Sequence, residues 1–170
     1  MAIVFSCRKS APDPILPPLS NSGSHTLGFF INNEVWVPYD RGTFEQHELP
    51  HPTLTEEGHL TISSTRIDEA NNARNWFCLE IESGCNRPGI YPITNRSCKA
   101  PYQTYYYGDN KDRSEDIYYL DTLQPHFIEI QYLDTINKII AGTFSFNAYS
   151  NKNKKLIKVR SGRFDLKYQE

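Results

Sequence analysis

From Ile140 to Ala148 the chain alternates with a period of two. Ile140, Phe144, Phe146 and Ala148 fall on one side, and Thr143, Ser145 and Asn147 on the other. Successive side chains of a strand point to opposite faces, so this pattern specifies a half-buried β-strand; an amphipathic helix would repeat its apolar positions every three or four residues. A polar stretch, Ser150-Asn151-Lys152-Asn153-Lys154-Lys155, separates it from a second alternating run that reaches Tyr168. In that run Ile157 and Val159 occupy odd positions, whereas Phe164, Leu166 and Tyr168 occupy even ones. One extra residue has to be absorbed between them, and Ser161-Gly162 is the natural place for a β-bulge. The two runs predict a long hairpin.

The same rhythm runs through the rest of the chain. Residues 26–31 and 35–37 flank Asn32-Asn33-Glu34, and because Asn tolerates positive φ this predicts a tight hairpin. Shorter strands are expected over residues 60–63, 76–81, 89–93, 102–107, 117–120 and 126–133. Pro92 cannot donate to a ladder, which makes 89–93 an edge strand. Only residues 67–74, containing Glu69-Ala70-Asn71-Asn72-Ala73, have helical character, and they are few and Asn-rich. About ten short strands with little or no helix predict an all-β fold, an antiparallel sandwich or open barrel. At 170 residues the chain has the size of one domain.

Composition narrows the function classes. With 38% hydrophobic and 22% charged residues the chain is neither disordered nor membrane-spanning in character. No apolar stretch approaches the roughly 20 residues a transmembrane helix needs. A net charge of −2 with interspersed signs argues against a nucleic-acid partner, which calls for a basic face.

The N-terminus carries a different signal. Ile3-Val4-Phe5-Ser6 is a short apolar run ending in a small residue, followed by Cys7 and then by a polar, proline-rich stretch to Pro18 that can form neither helix nor central strand. This is the order at the processing site of a bacterial lipoprotein, with Cys7 as the lipidated residue. A working signal peptide has a positive n-region and about 7–15 apolar residues, so the start here is a truncated remnant. The other reading is an ordinary flexible terminus with a chance cysteine. The expected division is residues 1–20 as signal remnant, lipidation Cys7 and Pro-rich leash, and residues 21–170 as a single β-domain. That places the protein at the cell envelope, facing the periplasm or exposed on the outer membrane, with the lipid as its only membrane contact.

Three cysteines remain. Cys85 and Cys98 flank turn-like residues; bridged, they would close a loop of about 14 residues worth some 3 kcal/mol in the chain-entropy model, and an oxidising compartment would permit it. Alternatively both are free thiols. Cys78 lies inside an expected strand as a small, partly buried side chain.

Each candidate site has a plainer role beside it. His47 and His51, four apart beside Glu45 and Glu48, have a zinc-site spacing that works on a helix, but Pro50 removes the helix and leaves a surface loop. Residues 108–116 are acidic enough to suggest Ca²⁺, yet they lack the EF-hand pattern, and Lys111 and Arg113 compete for the carboxylates. Tyr102, Tyr105, Tyr106, Tyr107, Tyr118 and Tyr119 form the most unusual local composition. Exposed aromatic faces can stack on sugars or anchor a protein partner, although alternate rings of a strand point inward, so at least half belong to the core. Trp36 and Trp76 fit core positions. No nucleophile elbow or Gly-rich phosphate loop occurs, and no pair of carboxylates stands out. No cofactor and no metal are expected.

Two stretches resemble the opening and close of an uncharacterised lipoprotein family of Bacteroidetes. The opening is Leu16-Pro17-Pro18 leading to Thr26-Leu27-Gly28-Phe29-Phe30-Ile31-Asn32-Asn33-Glu34-Val35-Trp36-Val37-Pro38. The close runs from Leu133 through Gly142-Thr143-Phe144-Ser145-Phe146 and ends in Ser161-Gly162-Arg163-Phe164-Asp165-Leu166-Lys167-Tyr168. Asn33 stands where the family has Gly, and Phe29 where it has a strand Cys, so any family disulfide using that Cys does not carry over. The resemblance implies a secreted all-β domain of unknown function and no catalytic residues. The expected role is a non-catalytic, lipid-anchored envelope domain that binds a polysaccharide or an envelope protein. The alternatives are a hydrolase whose site forms only in the fold, or a structural or assembly accessory.

Overall fold

The computed structural model describes residues 15–38, 50–68, 73–107 and 113–169. Eleven strands follow in chain order: β1 (Thr26–Ile31), β2 (Glu34–Trp36), β3 (His51–Leu54), β4 (Leu60–Asp68), β5 (Ala73–Ile81), β6 (Gly89–Pro92), β7 (Tyr102–Tyr107), β8 (Arg113–Leu120), β9 (Phe127–Asp134), β10 (Ile139–Tyr149) and β11 (Leu156–Lys167). The fold is all-β, as the alternation predicts. The strands form one antiparallel sheet, not closed, in the order β2-β1-β11-β10-β8-β7-β5-β4-β3, with β9 and then β6 branching from β10.

β10 is long enough to serve two neighbours on the same edge. Residues Ile139 to Ser145 pair with β9, whereas Ala148 and Tyr149 pair with Leu120 and Tyr119 of β8. The sheet turns over on itself there, and its inner faces meet in an aromatic core. Phe77 of β5 lies 4.7 Å from Phe29 of β1, 5.4 Å from Phe144 of β10 and 5.7 Å from Trp36 of β2, ring centre to ring centre. All four side chains are buried. Truncating one such ring to Ala typically costs about 3–5 kcal/mol, so these contacts hold the two halves together.

The expected irregularities fall in place. Phe144 stands opposite Gly162 but Phe146 opposite Val159, so Arg160 and Ser161 together face Ser145. Ser161 takes a φ of 51°, and a Cβ at Gly162 would run into the Phe144 ring. Asn32 and Asn33 turn the first hairpin with φ of 48° and 76°.

Three expectations need correction. β3 is a strand the alternation does not predict, and it starts at His51, the last residue of the expected loop His47–His51; Pro52 suits it to a sheet edge, where Gln169 lies along it through Leu54 N–H (2.9 Å) and its own N–H to Pro52 O (3.1 Å). The segment with helical character is a hairpin instead: β4 runs to Asp68 and β5 starts at Ala73, its direct partner, with residues 69–72 outside the described residues. Long-range pairing there overrides a weak local preference.

The third correction concerns the cysteines. Cys98 is bonded to Cys78, with Cα atoms 5.7 Å apart, and Cys85 is a free, buried thiol. The expected Cys85–Cys98 bridge does not form. β5 turns Phe77, Leu79 and Ile81 inward, which leaves Cys78 and Glu80 on the outer face. Beyond Phe77, the last β5 residue paired with β7, the segment after β6 takes over the open edge: Thr94 N–H donates to Glu80 O (2.9 Å) and Cys78 N–H to Pro101 O (3.1 Å). That course brings Cys98 to Cys78. Cys85 meanwhile is 1% exposed in the core, its N–H held by Gly58 O at 3.0 Å.

Candidate functional site

Two of the buried carboxylates, Glu80 and Asp165, sit on strands and gather backbone N–H groups from segments that are not strands. Glu80 is fully buried. It accepts N–H groups from Ser97 (2.8 Å) and Cys98 (3.1 Å), lies 3.0 Å from His59 Nε2, and is bonded by the Ser97 hydroxyl. Burial pushes its pKa up, but these donors outweigh burial and hold it below the ordinary carboxylate value. His, Glu and Ser together invite a comparison with a catalytic triad. In a triad the Ser would hydrogen-bond to the second imidazole nitrogen. Here Ser97 and His59 both bond the same carboxylate, so Glu80 is a structural hub rather than the end of a relay.

Asp165 plays the matching part on β11. It is 1% exposed and accepts from Ser20 Oγ (2.7 Å), Ser22 N–H (3.0 Å), Ser22 Oγ (3.2 Å), Gly23 N–H (2.6 Å) and Ser24 N–H (3.3 Å). Burial again works against ionisation, and the Ser20 hydroxyl with the three amides reverses it, leaving the pKa lowered. Arg163 donates to Pro17 O (3.3 Å), and a Cβ on Gly28 would meet Pro17 at 2.6 Å. The chain from Leu16 onward is therefore docked on the domain, which shortens the leash expected over residues 1–20.

The tyrosines divide. Tyr102 and Tyr118 pair across β7 and β8, are each 6% exposed, and meet edge-on at 5.8 Å inside the core. Tyr102 also bonds Asn75, and Asn153 donates to Asp116 (2.7 Å) and to Tyr118 (3.3 Å). These two rings cannot belong to an exposed patch. Tyr105, Tyr106 and Tyr107 continue β7 opposite Glu115, Ser114 and Arg113, and their side chains lie outside the described atoms. Tyr119 faces outward at 44% exposure, but with companions the sequence did not suggest. Tyr149 stands directly opposite it on β10, and Leu156 on β11 is in turn opposite Tyr149.

With Leu120, Leu123, Asp121, Thr122 and Asn151, these three line an open recess of about 330 Å³. Leu123 is 91% and Leu156 44% exposed, so three of the large apolar side chains left in solvent gather here. The signal was present in the alternation: Tyr149 and Leu156 directly adjoin the inward positions Ala148 and Ile157, and so put apolar groups on the outer face. A second recess, of about 420 Å³, lies at the first hairpin among Phe30, Asn32, Asn33, Lys158 and Arg160. Its guanidinium is engaged by Phe146 O (3.0 Å) and Asn147 Oδ1 (2.7 Å), and Asn32 Oδ1 by Lys158 N–H (2.9 Å).

The other sequence candidates are not assembled into a site. Cys7, Glu45, His47, Glu48 and residues 108–112 lie outside the described residues, and His51 is exposed at the start of β3. Trp36 is a core residue, whereas Trp76 is only half-buried. Among the described residues no group of three or more His, Cys, Asp or Glu is placed to hold a metal, and no helix is long and apolar enough to cross a membrane. The geometry thus defines an open antiparallel β-domain with an outward recess at the junction of β8, β10 and β11. Compared with protein-family models, curated proteins and solved structures, the chain matches none.

Proposed function

We propose that this chain is a non-catalytic domain of the cell envelope, moored by a lipid on Cys7, that binds a glycan or another envelope protein through the outer face of β8, β10 and β11. One observation carries the reading: the described buried carboxylates are engaged in holding the fold, while Tyr119, Leu123 and Leu156, three of the exposed large apolar side chains, collect at one polar-rimmed recess. The Cys78–Cys98 bond supports an oxidising compartment, in keeping with the lipoprotein-like order around Cys7 and the resemblance to the Bacteroidetes lipoprotein family. The mooring is tested by expressing the full-length gene product with Cys7→Ala and comparing membrane fractions; an unchanged fraction overturns it. Binding is tested with a glycan array beside a pull-down from envelope extract, and silence in both overturns that half.

A hydrolase is the second reading, favoured by the His59–Glu80 contact with His59 one-third exposed. An activity screen settles it: turnover abolished by His59→Gln in a protein that still melts normally would displace the binding reading.

A further inference from the structure

We infer that the recess between β8, β10 and β11 takes one sugar ring of a polysaccharide, an inference that rests on the binding-domain reading above. A pyranose offers two unlike surfaces, a C–H face that is effectively apolar and a rim of hydroxyls that need hydrogen-bond partners. A site for it therefore needs an apolar platform beside polar groups that the protein has left unsatisfied.

The recess supplies both. Tyr119 and Tyr149 are direct cross-strand partners, and Leu156 is the direct partner of Tyr149 on the other side, so the three stand in one row on the outer face. Side chains opposite one another in an antiparallel pair are about 5 Å apart at Cβ, which makes the row a continuous surface. Around it stand five polar groups. The phenol hydroxyls of Tyr119 and Tyr149, the Thr122 hydroxyl and the Asn151 amide have no hydrogen-bond partner among the described residues, and Asp121 uses only Oδ1, which accepts Leu123 N–H at 3.2 Å. Other side chains near the surface are engaged within the fold: Asn153 with Asp116 and Tyr118, Asn32 with Lys158, Asp134 with Asn137. A protein anchor would call for a broader apolar patch with a satisfied rim. A volume of about 330 Å³ lies at the small end of ligand sites. Because the recess is open to solvent, a ring seated in it can stay joined to neighbouring sugars.

The test is affinity electrophoresis of the whole protein in native gels containing laminarin, yeast mannan, arabinoxylan or polygalacturonate, a panel of neutral and acidic polymers. The expected result is retardation by at least one of them, weakened about ten-fold by Tyr119→Ala and by Tyr149→Ala, and less by Asp121→Asn. Ile136→Ala, a change at an exposed apolar residue in the β9–β10 turn, away from the recess, should leave it unchanged. Thermal melts of the same variants confirm that the fold is intact. Retardation indifferent to both tyrosine changes overturns this site and leaves the binding-domain reading standing. No retardation in any gel overturns the sugar assignment. If an envelope protein is then captured and lost with Tyr119→Ala, the recess is a protein interface; if nothing is captured, both readings fall together.

Discussion

Glu80 and Asp165 solve the same problem in two ways. Each is a buried acid on a strand, and each gathers amide hydrogens from a segment that belongs to no strand of its own. Ionised acceptors make hydrogen bonds about twice as strong as neutral ones, so one side chain can hold a whole turn of irregular backbone. The difference lies in what else holds the captured segment. The loop at Glu80 runs between β6 and β7 and is tied covalently by Cys98. The stretch at Asp165 leads toward the N-terminus and is held without a covalent tie, by hydrogen bonds and by the packing of Leu16 and Pro17 over Gly28 and of Gly23 against Lys167 and Ile139. The carboxylate reinforces the first segment, and it is the main fastening of the second.

The largest effect should come from the covalent tie. Replacing Cys78 and Cys98 together by Ser opens a loop of 20 residues and should lower stability by about 3 kcal/mol, seen as a fall in melting temperature of roughly 6–12 °C. A non-reduced digest should give a Cys78–Cys98 peptide. Burial pushes the Cys85 thiol up to about 11, so it should alkylate only in denaturant.

Asp165→Asn should cost about 2 kcal/mol and speed amide exchange across residues 20–24, whereas Glu80→Gln should quicken exchange at Ser97 and Cys98 while the disulfide keeps the loop in place. Equal loosening of the two segments would erase the difference between them. Acid offers a version without mutation. Both carboxylates have lowered pKa values in the fold, so their contribution is complete above the unfolded values and disappears as pH falls through the folded ones. Stability should therefore drop below about pH 4, with exchange at residues 20–24 rising before exchange at 97–98.

Gly28→Ala should cost about 1 kcal/mol, because its Cβ must displace the Pro17 ring, and should leave Ser97 and Cys98 untouched. The smallest change is Tyr119→Ala, within about 0.5 kcal/mol on melting because the ring stands in solvent.

The sequence shows plainly whatever depends on alternation. The β10–β11 hairpin, its bulge at Ser161-Gly162 and the Asn32-Asn33 turn are local consequences of period, glycine and positive φ, and all three are visible residue by residue. The disulfide is not. Cys85 lies nearer to Cys98 along the chain, but what decides the partner is which face of β5 a side chain takes and where a loop crosses, and both depend on distant pairing. β3 is hidden for a similar reason, since Pro52 suppresses the signal of a strand whose partners are β4 and residue 169. The recess lies between these cases. Tyr119 is legible as one of the clustered tyrosines, two of which, Tyr102 and Tyr118, are core, while Tyr149 and Leu156 arrive from strands remote in sequence.

The pairing of β1 with β11 has a consequence for how the molecule comes into being. Leu27 meets Phe164, and Ser20 meets Asp165 across 145 positions. In a chain made from its N-terminus, β1 waits for this partner until residues 156–167 have followed. Such distant pairings make for slow closure. β11 thereby acts as the latch of the sheet.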